Sequence, residues 1–124
     1  MEPLRLLETA TALLVIAALG GVVMAAIRFS GKDHPPTALA MLHGFLAAAG
    51  VTLLIYGAAF VGMPALANGG TALLVLAAVG GVVLNLEYHW KNRPLPKGLM
   101  VGHALVAVVG FLLVVLALVN TLHG

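Results

Sequence analysis

The sequence predicts an all-α, four-transmembrane-helix bundle made of two tandem two-helix repeats. Three observations carry that expectation. Of 124 residues, 62% are hydrophobic and 8% charged, whereas a soluble domain is about half apolar and a quarter charged. Four apolar runs, roughly Leu6–Phe29, Pro36–Val61, Gly70–His89 and Pro96–Leu122, reach the length of about 20 residues that crosses a hydrocarbon core. Finally, a shift of 60 residues aligns the two halves without a gap.

The first run follows "MEPLR", which carries one acid and one base. The run is longer than the apolar stretch of a cleaved signal, so a retained helix is expected. The second and fourth runs open at Pro36 and Pro96. A helix start accepts proline because the missing N–H has no partner within the helix there. The connections read as "SGKDHPP", "GMPALANGG" and "WKNRPLP". They hold most of the proline and charge, and they leave one membrane domain over residues 1–124.

The repeats are expected over 6–61 and 66–122. "TALLVIAALGGVVMAAIRF" from Thr11 matches "TALLVLAAVGGVVLNLEYH" from Thr71. The register continues through Pro36/Pro96, His43/His103, Ala47/Ala107 and Gly50/Gly110. A gapless register with shared "GGVV" and paired histidines argues for duplication. Two spans per repeat make both copies enter the membrane from the same side, so a pseudo-two-fold axis along the membrane normal is expected.

Charge sets the topology. Arg28, Lys32, Lys91, Arg93 and Lys97 fall at the first and third connections, and the middle connection has no lysine or arginine. The positive-inside rule puts that side in the cytoplasm and both termini in the periplasm of a bacterial inner membrane. A formal net charge of +2 from ten charged side chains is too little for a phosphate-tracking face, so nucleic acid is not a partner. With no cysteine, disulfides, thiolate metal sites and covalent haem attachment are excluded.

His43 and His103 each lie seven residues beyond the proline that opens their span, about 10 Å deep at the α-helical rise. Gly20-Gly21 and Gly80-Gly81 fall at the same depth on the other two spans. From each histidine a stripe of small residues follows, including Ala47 and Gly50 or Ala107 and Gly110. An ionisable group inside the bilayer points to function, and the natural partner of each histidine is the other. Two neutral imidazoles facing each other across a bundle suit the axial positions of one haem. The glycine pairs would let the first and third spans lie against the porphyrin faces, and Arg28, Arg93 and Lys97, with Tyr88 or Trp90, are placed for the propionates.

The helices "HPPTALAMLHGFLAAAG" and "LPKGLMVGHALVAVVG", with "GGVV" on their neighbours, resemble membrane-bound b-type cytochromes. The resemblance is one of pattern. It implies one haem b with His43 and His103 as iron ligands, lined by Gly20, Gly21, Gly80, Gly81, Gly50 and Gly110 and met by Arg28 and Lys97. It implies electron transfer as a small subunit of a respiratory or quinone-linked complex. Membrane lipid, other redox subunits or further copies of the chain, and a quinone are the partners it suggests.

Other readings stand beside this one. The histidines could pack against backbone or a threonine such as Thr52, relay protons, or bind copper with Met100 and neighbouring methionines. A small four-helix transporter would want a polar path through the midplane, yet Glu8 is the one candidate carboxylate and sits at the membrane edge. A structural accessory subunit would be colourless. His34 and His89 are expected solvated at the basic surface, with His89 an alternative contact for haem edge or quinone. His123 is terminal. Asn85 is expected to hydrogen-bond between helices or to touch a cofactor, and Glu87 to pair with Lys91 one turn on. Neither a Ser–His–Asp set nor a Walker loop is present, so hydrolysis and phosphoryl transfer are not expected.

Overall fold

A computed structural model describes residues 2–124. Four helices long and apolar enough to cross a membrane follow one another: Pro3–Phe29, Thr37–Val61, Ala65–His89 and Lys97–His123. We call them α1 to α4. Among the described residues there is no strand. Each helix begins at or directly after a proline, namely Pro3, Pro36, Pro64 and Pro96. The fixed φ of proline suits a helix start, and its ring would clash inside one.

Two helices change pitch at their ends. The last turns of α2, Gly57–Val61, and of α3, Leu84–His89, are π-helical. Their wider ladder shows in the bonds from Gly62 N–H to Gly57 O and from Trp90 N–H to Asn85 O, at 3.1 and 2.7 Å. Gly31 and Gly62 then turn the chain with φ of 108° and 83°, conformations that glycine adopts without steric cost.

α1 packs along α2 and α3 along α4, giving two tight hairpins. The hairpins meet more sparsely through α1–α4 and α2–α3, so α2 stands diagonally opposite α4. The most tightly sealed side chains are Leu6 and Leu7 of α1, Leu54 of α2 and Val114 of α4. All lie in the half of the bundle remote from the basic connections. Large apolar side chains such as Leu19, Val22, Phe45 and Leu105 face outward, as a hydrocarbon surround allows.

The outer connection is shorter than the sequence suggests. "ANGG" reads as loop, but Ala67–Gly70 lie inside α3, and the connection reduces to 62–64. The glycine serves packing rather than a turn. A Cβ on Gly70 would lie 2.6 Å from the Gly110 carbonyl oxygen, and one on Gly110 3.0 Å from that of Gly70. Gly50 has a similar role in the first hairpin, where a Cβ would meet Leu14 at 2.9 Å. Close backbone approach through small residues is a usual mode of helix packing in membranes.

At the basic side the two connections are tied together. Leu95 N–H donates to Asp33 O at 3.0 Å, and Arg28 Nε–H donates to Leu95 O at 2.9 Å. Arg28 also reaches Lys32 O at 3.2 Å through Nη1. Glu87 and Lys91 form the expected pair at 2.8 Å.

Candidate functional site

His43 projects from α2 and His103 from α4, the two diagonal helices. Their ring centres are 6.3 Å apart and their planes cross at 73°. Both rings are half-buried. His43 Nδ1 lies 2.7 Å from Ala17 O of α1, and His103 Nδ1 lies 2.7 Å from Ala77 O of α3. The same bond is thus made twice, 60 positions apart.

These bonds fix the chemistry of each ring. A carbonyl oxygen only accepts, so both Nδ1 atoms carry the proton. In the neutral ring the lone pair then resides on Nε2. Among the described residues neither Nε2 has a hydrogen-bond partner. An imidazole oriented through an N–H to a backbone carbonyl, with its other nitrogen free, is the usual arrangement of a metal-ligating histidine.

The glycine pairs explain how the rings reach those carbonyls. Ala17 O would ordinarily be flanked by the side chain one turn on, at position 21. Position 21 is glycine, and a Cβ there would stand 3.2 Å from His43 Cε1. A Cβ on Gly81 would stand 3.1 Å from His103 Cε1. At Gly20 and Gly80 the corresponding contacts to the histidine Cβ and Nδ1 are looser, from 3.6 Å upward. The glycines therefore receive the imidazoles, where the sequence suggested that they clear the faces of a porphyrin. Gly50 and Gly110 are likewise reassigned, since both lie in the sealed core among Leu14, Gly70 and Leu74. Sequence reasoning found the histidines and glycines but missed the carbonyls of Ala17 and Ala77. The available signal was the small residue four positions beyond each.

The donor set fits a haem iron. Haem iron takes imidazole nitrogen readily, and His43 and His103 are the residues that would hold it. The rings stand at 6.3 Å. Among the described residues, no group of three or more His, Cys, Asp or Glu gathers as a metal site.

The expected propionate partners are differently engaged. Arg28 is bound to the carbonyls of Leu95 and Lys32. Lys97 sits 5.3 Å above the Phe29 ring, and Arg93 4.8 Å above that of Tyr88. Trp90 is exposed. His89 departs from expectation most clearly. It is 6% exposed rather than solvated, and its Nε2 lies 3.2 Å from Thr37 Oγ1. The π-helical turn at the end of α3 widens the ladder by one residue and swings this side chain inward. Phe29, sixty positions earlier at the end of a regular helix, points outward at 53% exposure.

Fold and composition together define an integral membrane protein of four spanning helices. No family model, curated protein or solved structure matches the chain, so the functional reading rests on the chain's own residues.

Proposed function

We propose that the protein transfers electrons within the membrane by means of one haem b held between His43 and His103. The observation that carries this reading is the pair of imidazoles 6.3 Å apart, each with Nδ1–H given to a carbonyl and Nε2 left free. A bound haem would supply reversible one-electron chemistry at its iron. The chain's own part is to fix tautomer and ring direction through Ala17 O and Ala77 O. It would also keep water scarce around the rings through the surrounding aliphatic helices.

The 60-residue offset of these two bonds supports a pseudo-two-fold relation between the hairpins. The lysine and arginine distribution favours cytoplasmic first and third connections, with the termini in the periplasm of a bacterial inner membrane. The protein's electron partner would be another redox subunit, a further copy of this chain or a lipid-soluble quinone.

A reduced-minus-oxidised spectrum of the purified protein tests the reading. Sharp haem b bands are expected, lost in His43→Ala and in His103→Ala. A colourless protein from haem-sufficient cells overturns it. That outcome would favour the second reading, in which the two hydrogen bonds serve only to staple α2 to α1 and α4 to α3.

A further inference from the structure

A second histidine pair lies at the basic end of the bundle. His34, in the connection between α1 and α2, and His89, at the end of α3, have ring centres 4.9 Å apart with planes tilted by 56°. Each ring has one nitrogen engaged. His34 Nδ1 faces Pro35 O at 3.4 Å, which leaves Nε2 as its lone-pair site. His89 Nε2 meets Thr37 Oγ1 at 3.2 Å. A hydroxyl both donates and accepts, so it can take Nε2–H, and Nδ1 then carries the lone pair of His89.

The spacing differs instructively from that of the membrane pair. With metal–nitrogen bonds of about 2 Å, rings opposite one another across a metal stand roughly 6 Å apart, and a separation near 5 Å corresponds to neighbouring ligands subtending about 100°. The 6.3 Å pair has the first spacing and the 4.9 Å pair the second. Two further features belong to a held ligand rather than a surface side chain. His89 is buried, and the threonine hydroxyl that holds its ring is the kind of outer partner that orients a metal-bound imidazole.

We propose that His34 and His89 form a second site, binding a divalent late transition-metal ion of the Zn²⁺, Cu²⁺ or Ni²⁺ class. Imidazole nitrogen suits these ions, whereas Mg²⁺ and Ca²⁺ want oxygen ligands. Among the described residues no third His, Cys, Asp or Glu joins the pair, so water completes the coordination and the ion stays exchangeable at the aqueous surface. Bound there, it bridges the α1–α2 connection to the end of α3 and ties the two hairpins together at the basic end of the bundle. The site does not depend on haem at His43 and His103.

The test is Cu²⁺ titration of the full chain in detergent, read by electron paramagnetic resonance. It is run in the wild type and in the His43→Ala/His103→Ala double variant, which removes the membrane pair. Both should show a copper signal split by two nitrogens. The splitting should persist in His123→Ala, which removes the exposed terminal histidine. It should collapse to one nitrogen or vanish in His34→Ala and in His89→Ala. His34 lies outside the helices, so its variant keeps the test valid should the loss of buried His89 disturb folding. Absence of the two-nitrogen pattern from the wild type or the double variant overturns the proposal, as does its survival in His34→Ala. Either result leaves the haem spectrum free to succeed or fail on its own.

Discussion

At the scale of the residue, the glycines divide into three kinds that their sequence does not distinguish. Gly21 and Gly81 make room for an imidazole edge at 3.2 and 3.1 Å. Alanine at either position should push the ring from its carbonyl; under the proposed function, Gly21→Ala and Gly81→Ala should each lower the haem content of purified protein, with helix content unchanged by circular dichroism. Gly70 faces a backbone oxygen at 2.6 Å, which cannot step aside as a flexible side chain can. Gly70→Ala should therefore destabilise the bundle by about 1–3 kcal/mol. Gly44 is the opposite case, with nothing within 4 Å of an added Cβ. Gly44→Ala should stabilise α2 by up to about 1 kcal/mol through helix propensity alone. Thermal melts in one detergent check both signs. The histidines were legible because an imidazole in an apolar run is conspicuous and its copy repeats at the same depth. Their carbonyl partners were hidden, because every helical residue has a carbonyl and only three-dimensional approach selects Ala17 and Ala77.

At the scale of the element, the two seams between hairpins are unequal. The seam between α2 and α3 holds an apolar groove of about 350 Å³, lined by Val51, Ile55, Val75, Ala78, Val79 and Val82 with Val83. The offset of 60 relates it to the seam between α4 and α1. The α3 side is nearly the same in both, with Val75, Ala78 and Val82 standing where α1 has Val15, Ala18 and Val22, and Val79 where it has Leu19. On α2, Val51 stands where α4 has the larger Phe111, and Ile55 where α4 has Val115. The groove lies beside Val51, where a phenylalanine like Phe111 would take up more space. That contrast is written in the sequence, but it acquires meaning only once the helix neighbours are known. The π-helical ends were not legible at all. Nothing in "LNLEYH" separates a π turn from an α turn, and that turn buries His89.

At the scale of the whole molecule, the four spans, their order and their lengths follow from hydropathy and proline, because a lipid-exposed backbone has few alternatives to a helix. The exception was "ANGG", where glycines that look like punctuation are needed by packing. The bundle is sealed most tightly at the end remote from the basic connections, by Leu6, Leu7, Leu54 and Val114, while the imidazoles occupy the other half. The basic connections should face the cytoplasm. Single cysteines placed at Lys32 and Lys91 should resist impermeant thiol reagents in intact cells and react after lysis. Reaction in intact cells would reverse the topology without touching the histidine site.

The short outer connection, residues 62–64, joins two hairpins that are each chemically complete. His43 donates its hydrogen bond to α1 and His103 to α3, so no imidazole depends on the other hairpin for its orientation. A chain severed at that connection would keep both bonds, and two separately synthesised halves would carry everything needed to rebuild the pair. The tandem chain fixes the stoichiometry at two, and it lets one half change without the other. Gly44 and His89 are the visible record of that freedom.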